Sequence, residues 1–366
     1  MKRFRMVLLA LLMCSSLVAG VTPVMDLQLF HVLGLRDTDV GIADAHTFAG
    51  KASLSLKSSD TGNVRGDVAV SFTEFGGIPA LSIDRAYLRA RFPKWRLTIG
   101  KTRTGWGDGM LFNAADLLFG SIDTDVDMKS NELRSTTQWL TSAQLPLGDF
   151  SFLEAVIIPS QDVTDLSIRN MSAGLRYYTT IGTMKLEGGA AYRKDNTPAH
   201  DTGMVLTPYI ALQGNIGPDW YVSTSANLPY PEAIGEELED SWLISGGLLH
   251  MVSVGWRGTL SLRLEALVRP FGSWTPSLTK DLAIFVYPEI TYAPEESYAF
   301  TFRSIFSPID LSAMITLGAS WNVFQGFSVQ GFITANAGET NDQFSWKSNT
   351  ATETSLGIMA GVSWVY

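Results

Sequence analysis

The sequence predicts an all-β protein, a transmembrane antiparallel β-barrel of about 18 strands. Three observations support this fold class. Apolar and polar residues alternate along most of the chain, which is the period of a strand with two different faces. Short and long connections between the alternating stretches also alternate. The chain after its N-terminal segment has no run of about 18 apolar residues, so the sequence predicts no transmembrane helix there.

The N-terminal segment has the pattern of a secretory signal peptide. Three basic residues precede the apolar run Met6–Met13, and small residues follow up to Gly20. The run is too short to span a bilayer as a helix, so we expect cleavage after Gly20. Lipidation at Cys14 is an alternative, although a methionine precedes it where such sites prefer a small residue. The expected organisation is a signal peptide at 1–20 and a single transmembrane β-barrel domain at 21–366.

The charge balance limits the partners of the chain. The whole chain has 27 Lys and Arg and 36 Asp and Glu, and three of the basic residues lie in the signal, so the formal charge without it is −12. An acidic chain of this kind is not expected to bind nucleic acid. The only cysteine is also lost with the signal, which leaves no disulfide. No zinc-ligand spacing or phosphate-binding glycine loop is found, so we expect no cofactor and no metal centre.

Alternation defines the strands one by one. In TLSLRLEALV, Leu260, Leu262 and Leu264 share one face, whereas Arg263 and Glu265 share the other. A helix would need a period of about 3.6 residues, which we find only in the signal. We predict 18 strands, with 16 as the alternative, at 26–35, 48–57, 66–74, 80–92, 96–103, 134–145, 150–158, 168–179, 184–193, 203–215, 219–227, 242–256, 259–270, 281–293, 297–306, 311–323, 326–336 and 354–366.

The predicted connections alternate in length. Short ones, such as PKW, LGD and IGPD, alternate with mostly longer ones, including 36–47, 104–133, 228–241 and 337–353. A β-sandwich has no reason for this alternation, whereas a membrane barrel combines tight turns at one end with long loops at the other. Aromatic rings collect at the headgroup level of a bilayer. Those beside the short connections or the C-terminus are Trp95, Trp220, Trp256, Trp321, Trp364, Tyr177, Tyr178, Tyr292 and Tyr298.

The chain ends on an alternating stretch, LGIMAGVSWVY, with an aromatic last residue. A sheet in lipid must pair every backbone group, so the last strand must meet the first. This stretch resembles the last strand of the outer-membrane β-barrels of diderm bacteria, whose terminal aromatic residue is read by the barrel assembly machinery. The resemblance implies an assembly signal at Trp364 and Tyr366, with Tyr366 in place of the usual Phe. It also implies a location in the bacterial outer membrane, in contact with its lipid.

A second resemblance covers residues 100–116. The stretch GKTRTGWGDGMLFNAAD is similar to one in a loose group of porin-like barrels, roughly G-x-x-R-x-x-W-G-x-G-x-x-x-N-P-x-D. The matching residues are Gly100, Arg103, Trp106, Gly107, Gly109, Asn113 and Asp116, and Ala114 replaces the proline. The resemblance implies a channel and does not identify a solute.

A barrel of this size encloses water, so its inner face is a pore wall. Alternation puts eight candidate pore-wall residues on that face, together with Glu187, Glu265 and Glu289. Two interpretations remain open. The arginines form a basic wall that favours anions or orients sugars, or they form ion pairs that make the barrel rigid. The eight residues are Arg85, Tyr87, Arg89, Arg91, Arg176, Arg263, Arg269 and Arg303.

The longest predicted connection, 104–133, is too apolar to lie in water. We expect it to fold into the barrel as a constriction loop, and the alternative is packing over the barrel mouth or against a neighbouring subunit. The candidate constriction residues are Phe112, Asn113, Asp116, Asp123, Asp125 and Asp127. The last three begin like a calcium loop, but Met128 and Arg134 replace the Gly and Glu of a helix–loop–helix site, so only a looser calcium site stays open.

His250 is expected to face lipid, because it has the same parity as Leu248 and Val252. Ser253 points to the opposite face, so the two cannot form a catalytic pair. The predicted function is therefore that of a porin, an outer-membrane channel for passive diffusion of small hydrophilic solutes, and not that of an enzyme. A solute-selective transporter and an adhesive or structural barrel are the alternatives, and an outer-membrane hydrolase is disfavoured. Association into a homo-oligomer is left open.

Overall fold

A computed structural model shows the chain as a closed antiparallel β-barrel. The structure describes residues 21–38, 41–58, 62–119, 136–160, 171–194, 204–228, 238–239, 241–347 and 355–366. The predicted signal peptide, with Cys14, lies outside the described residues.

The described residues form 18 strands, as the alternation predicted, and the alternative of 16 is wrong. The first nine are β1 (Val21–Thr38), β2 (Gly41–Ser58), β3 (Val64–Phe75), β4 (Ile78–Arg91), β5 (Arg96–Thr102), β6 (Gln138–Pro146), β7 (Ser151–Ile158), β8 (Ser172–Ile181) and β9 (Met184–Lys194). The other nine are β10 (Met204–Asn215), β11 (Asp219–Ser225), β12 (Leu243–Val254), β13 (Gly258–Val268), β14 (Ile284–Glu295), β15 (Tyr298–Ser307), β16 (Ser312–Phe324), β17 (Phe327–Ala337) and β18 (Leu356–Val365).

The sheet closes through its first and last strands. Each strand pairs antiparallel with its sequence neighbours, and β18 pairs with β1, with Trp364 opposite Leu27. The last residue is paired as well. The N–H of Tyr366 donates to the carbonyl of Met25 and the N–H of Met25 donates to the carbonyl of Tyr366, each at 2.9 Å. Closure leaves no described strand with a free edge, which is what a sheet surrounded by hydrocarbon requires.

The two faces of the sheet differ in polarity. Leu175, Leu248, Leu264 and Leu317 lie on the outer face and are between 47% and 53% exposed. Their neighbours on the inner face include charged groups such as Glu265, which is only 1% exposed. An apolar outer belt around a polar interior is the pattern of a barrel that sits in a membrane.

The two ends of the barrel also differ. Connections that follow even-numbered strands are short, such as 182–183 between β8 and β9 and 296–297 between β14 and β15. The opposite end has the longer connections, including 103–137, 226–242 and 338–355. We call these the short-turn rim and the long-loop rim. The alternation of lengths is therefore largely as predicted, with three short connections at the long-loop rim, 39–40, 76–77 and 308–311, of which the first two are exceptions to the prediction.

The first exception is the predicted loop 36–47, which is mostly strand. β1 and β2 continue as a hairpin to Thr38 and from Gly41, beyond the point where β18 begins to pair with β1. Such an extension needs backbone pairing but no apolar face, so the alternation did not show it. The second is the turn between β3 and β4, where Gly76 and Gly77 have φ values of 59° and 82°. Two successive residues with positive φ make the tightest hairpin turn, and glycine adopts them without strain.

The connection before β18 is tied down by Asp310, in the turn between β15 and β16. Asp310 Oδ2 accepts a hydrogen bond from the N–H of Gln343 at 2.7 Å, and Oδ1 accepts one from Ser312 Oγ at 2.9 Å. Partial burial alone would raise the pKa of the Asp310 carboxyl group, but these hydrogen bonds outweigh it and place the pKa below its usual value. The anchored segment places Phe344, which is 4% exposed, against Phe285 in the interior.

Deleting Trp364–Tyr366 should prevent closure of the barrel. The deletion removes the backbone hydrogen bonds between Tyr366 and Met25 and the one from Val365 to Gly326, and it reopens an edge. We expect loss of the folded form, seen as a band that shifts on a gel after boiling, and loss of surface-exposed protein. Tyr366→Phe keeps the ring and the backbone bonds and should fold normally. Normal amounts of folded protein after the deletion would contradict an assembly role for these residues.

Acidification should loosen the segment that Asp310 holds. Because the folded-state pKa lies below the usual value, the carboxylate stabilises the fold above that usual value, and its contribution is lost as the pH falls through the folded-state pKa. We expect Asp310→Asn to speed amide hydrogen exchange at Gln343 and Phe344 near neutral pH. Asp149→Asn, at the short-turn rim, is the control. Equal exchange in Asp310→Asn and the unaltered protein would contradict the anchor.

Candidate functional site

The connection after β5 enters the barrel and packs against the inner wall over residues 103–119, which we call the strap. Its side chains lie in two buried clusters. Trp106, at 0% exposure, packs with Tyr209 of β10 and with residues of β6, β7 and β9. Phe112, also at 0%, packs with Phe285 and Tyr287 of β14. The strap therefore spans the inner faces of β6 to β15 and narrows the lumen from that side.

The strap is held at its middle by one glutamate of β13. The N–H groups of Met110, Leu111 and Phe112 donate to the Glu265 carboxylate at 2.9, 2.8 and 2.9 Å. Arg263 Nη1 lies 3.1 Å from the same carboxylate and balances its charge. Hydrogen bonds to a charged acceptor contribute about 1.5–3 kcal/mol each, so this contact is a strong anchor.

The first turn of the strap is held by two further glutamates and an arginine. Glu187 accepts hydrogen bonds from the N–H of Gly107 at 3.0 Å and from Tyr209 Oη at 2.6 Å. Glu154 accepts one from Trp106 Nε1 at 3.2 Å. Arg176 joins these groups, because it lies 2.6 Å from Glu154 and 3.2 Å from Glu187. The buried charges are thus paired with one another, as burial requires.

Several residues of the porin-like stretch shape the strap itself. Arg103 forms an ion pair with Asp116, which brings the two ends of the stretch together. Asn113 closes the turn between them, since its Nδ2 donates to the carbonyl of Trp106 at 2.8 Å. Gly107 has a φ of 68°, and a Cβ atom on Gly109 would lie 2.1 Å from a backbone oxygen. These residue types are therefore explained by the local fold.

The wall beneath the strap also makes room for it. A Cβ atom on Gly174 of β8 would lie 2.4 Å from the ring of Trp106. Ser245 Oγ of β12 accepts a hydrogen bond from the N–H of Ala114 at 2.8 Å and lies 2.8 Å from Ser223 Oγ of β11. Tyr221 of β11 donates to the carbonyl of Phe112 at 2.9 Å. Strands far apart in sequence thus share the support of one short segment.

The predicted constriction residues divide into two groups. Phe112, Asn113 and Asp116 lie in the strap and are no more than 3% exposed, so they hold its shape and do not face open water. Asp123, Asp125 and Asp127, with the looser calcium site considered for them, lie outside the described residues. Within the described ranges, no group of three or more His, Cys, Asp and Glu residues is placed to bind a metal ion.

The eight predicted pore-wall residues all lie on the inner face, but in three different environments. Arg176, Arg263 and Arg303 are sealed in ion pairs, with Arg303 Nε 2.9 Å from Glu289. Arg89 and Arg91 are exposed in the lumen, and the guanidinium of Arg89 lies 5.7 Å from the Tyr87 ring. The other two form looser pairs, Arg85 with Asp67 at 3.9 Å and Arg269 with Asp281 at 3.3 Å. Ion pairs therefore involve five of these arginines, and Arg89 and Arg91 are exposed.

A recess of about 210 Å³ opens between the start of the strap and the inner faces of β4 to β8. Its lining includes Arg89, Arg96, Thr98, Arg103, Leu140 and Glu154. Sequence reasoning did not select Arg96 or Glu154, and it named Arg103 only as part of the porin-like stretch. The pairing of Arg96 with Arg91 across β4 and β5 would have put Arg96 on the inner face. Nothing in the sequence points to Glu154 as a partner of Trp106, because the contact depends on the path of the strap.

His250 lies exposed on the outer face with Leu248, and Ser253 has the opposite parity on β12. The described positions therefore offer this histidine no serine on its own face of the strand. No helix in the described ranges is long and apolar enough to cross a membrane.

Comparison with solved structures supports the fold. OccAB3 of Acinetobacter baumannii is 13% identical and aligns over 94% of this chain and 99% of its own, with a TM-score of 0.54. OccAB4 of the same organism is 12% identical and aligns over 95% of this chain and 99% of its own, with a TM-score of 0.53. A triple mutant of the Rhodopseudomonas blastica porin is 12% identical over 94% of this chain and 100% of its own, but its TM-score of 0.48 is too low to bear on the fold. No family model and no curated protein matches the sequence. This chain therefore shares its barrel fold with OccAB3 and OccAB4.

Proposed function

We propose that the protein is a channel of the bacterial outer membrane through which small hydrophilic solutes diffuse passively. The observation that carries this proposal is the strap. It crosses the interior of an 18-stranded barrel, and in the described part of the chain it packs against the inner wall over β6 to β15, with Met314 of β16 at the edge of the contact. Barrels with 16 to 18 strands enclose water, so a segment that covers part of the wall narrows the passage without filling it.

The inner wall away from the strap has the chemistry that a hydrated solute needs. Hydroxyl groups face the interior on β17 and β18, where the partly exposed Ser328 and Ser363 have their Oγ atoms 2.6 Å apart. Such groups exchange hydrogen bonds with water and with sugars at little cost. The wall holds the strap through paired charges, which supports a fixed constriction.

The apolar outer surface and the last strand support a location in the outer membrane. The apolar belt would contact outer-membrane lipid, and the terminal Trp364 and Tyr366 would be read by the barrel assembly machinery. Asp123, Asp125 and Asp127 would complete the constriction as an acidic continuation of the strap. Association into a homo-oligomer stays open within this proposal.

Reconstitution tests the channel directly. We expect the folded protein to give discrete current steps in planar bilayers and to pass monosaccharides into liposomes faster than trisaccharides, because a passive channel selects by size. Absence of current from protein whose gel band still shifts on boiling would overturn the proposal.

Releasing the strap should widen the channel. Trimming Leu111–Asp127 to a short Gly-Ser linker should raise single-channel conductance severalfold. Glu265→Gln is a milder change that places an amide donor against the N–H groups that now donate to the carboxylate, and we expect about a twofold rise with noisier current. Asp67→Asn is the matched control, since Asp67 is also buried on the inner wall, at 7% exposure, but pairs with Arg85 of β4, away from the strap. Unchanged conductance in a trimmed and folded barrel would show that the strap does not limit the pore.

A further inference from the structure

The inner face of β3 to β5 brings together arginines that face one another across strand pairs. Arg91 lies opposite Arg96, and Arg65 lies opposite Arg89. Like charges directly opposite in a sheet destabilise it. The Arg91–Arg96 pair therefore concentrates positive charge at the short turn between β4 and β5.

Three of these arginines differ from the others on the inner wall. Arg176, Arg263 and Arg303 each lie within 3.2 Å of a glutamate oxygen. Arg89, Arg91 and Arg96 form no ion pair with any carboxylate of the described residues. Their positive charge therefore acts on the water of the lumen.

Two of these arginines line the recess described above, which is a concave site that a ligand could enter. Arg89 and Arg96 line it together with Thr98, and Leu140 contributes an apolar surface. Its volume of about 210 Å³ is below the range of about 300–1,000 Å³ that holds drug-sized ligands, so the occupant is small. Two carboxylates lie close to the recess, and each is already in an ion pair, Glu154 with Arg176 and Asp116 with Arg103.

The position of the cluster along the pore is also informative. Arg91 ends β4 and Arg96 begins β5, so both lie at the short-turn rim. β5 ends at Thr102, immediately before the strap. Arg89 lies opposite Thr98, two positions from the Arg91–Arg96 pair, so the cationic cluster lies at the short-turn end of the recess, which extends from there to Thr102 and Arg103 at the start of the strap.

We propose that this recess is a binding subsite for the oxyanion group of a permeating solute, a carboxylate or a phosphate on a small organic molecule. The guanidinium fork of arginine matches both groups with two parallel hydrogen bonds. The apolar Leu140 would contact the carbon part of the solute. This inference rests on the proposed channel function and names the class of solute that the channel favours.

The test uses the whole protein in planar bilayers and proteoliposomes. The double variant Arg89→Gln/Arg96→Gln should lower the anion-over-cation permeability ratio about fivefold at 0.1 M salt, and less at 1 M, because the screening length falls from about 10 to 3 Å. It should slow the entry of labelled succinate, of inorganic phosphate, or of both, and leave erythritol unchanged. Succinate and phosphate are compared separately to tell which oxyanion the recess prefers. Arg257→Gln/Lys280→Gln is the control, since it removes two positive charges outside the recess, the exposed Arg257 at the short-turn rim and the half-buried Lys280 at the long-loop rim.

The outcomes separate the inference from the channel proposal. Equal permeability ratios and equal entry of both anions in the unaltered protein and the double variant would overturn the subsite while leaving the channel in place. An equal loss in the control would overturn it as well, since the effect would then come from net charge. A conducting protein whose anion entry depends on Arg89 and Arg96 alone would establish it.

Discussion

The constraint on which the rest of this structure depends is that a sheet with an apolar outer surface must pair every backbone N–H and C=O group. The barrel meets it by closing β18 onto β1, down to the reciprocal hydrogen bonds between Tyr366 and Met25. Closure fixes which residues face inward, because alternation leaves each side chain only one of two directions. Polar groups are then concentrated in a confined interior, and the chemistry of that interior follows from how their charges are balanced.

On one side of the interior, the buried carboxylates are neutralised by arginines of the same wall. Glu154, Glu187 and Glu265 accept hydrogen bonds from the strap and are neutralised by Arg176 and Arg263. A buried carboxylate is stable only if its lone pairs and its charge are both satisfied, and the strap supplies the donors while the arginines supply the charge. The same groups that make the wall rigid therefore position the constriction. Removing one of these charged groups leaves its partners unpaired. The strap and the wall therefore stabilise each other.

On the β3–β5 side, three arginines are not neutralised in this way. Arg89, Arg91 and Arg96 face the lumen without a carboxylate partner among the described residues. The asymmetry gives the interior one neutralised side and one cationic side. A solute that passes the strap meets the cationic side next, which is why the open charge, and not the larger number of paired charges, is expected to decide selectivity.

The sequence by itself determined the strand number, the inner and outer faces, the alternation of connection lengths and the buried nature of the segment after β5. These features depend on local periodicity and composition, which are properties of the sequence and do not depend on how the chain folds. It also marked Arg103, Trp106, Gly107, Asn113 and Asp116 as a connected pattern. Only the tertiary structure decided what the pattern does, because Glu154, Glu187, Ser245 and Glu265 meet the strap from strands up to 155 positions away. It likewise decided which arginines are sealed and which face water, since charge pairing across a barrel depends on register and on the path of the strap, and neither is written in local alternation.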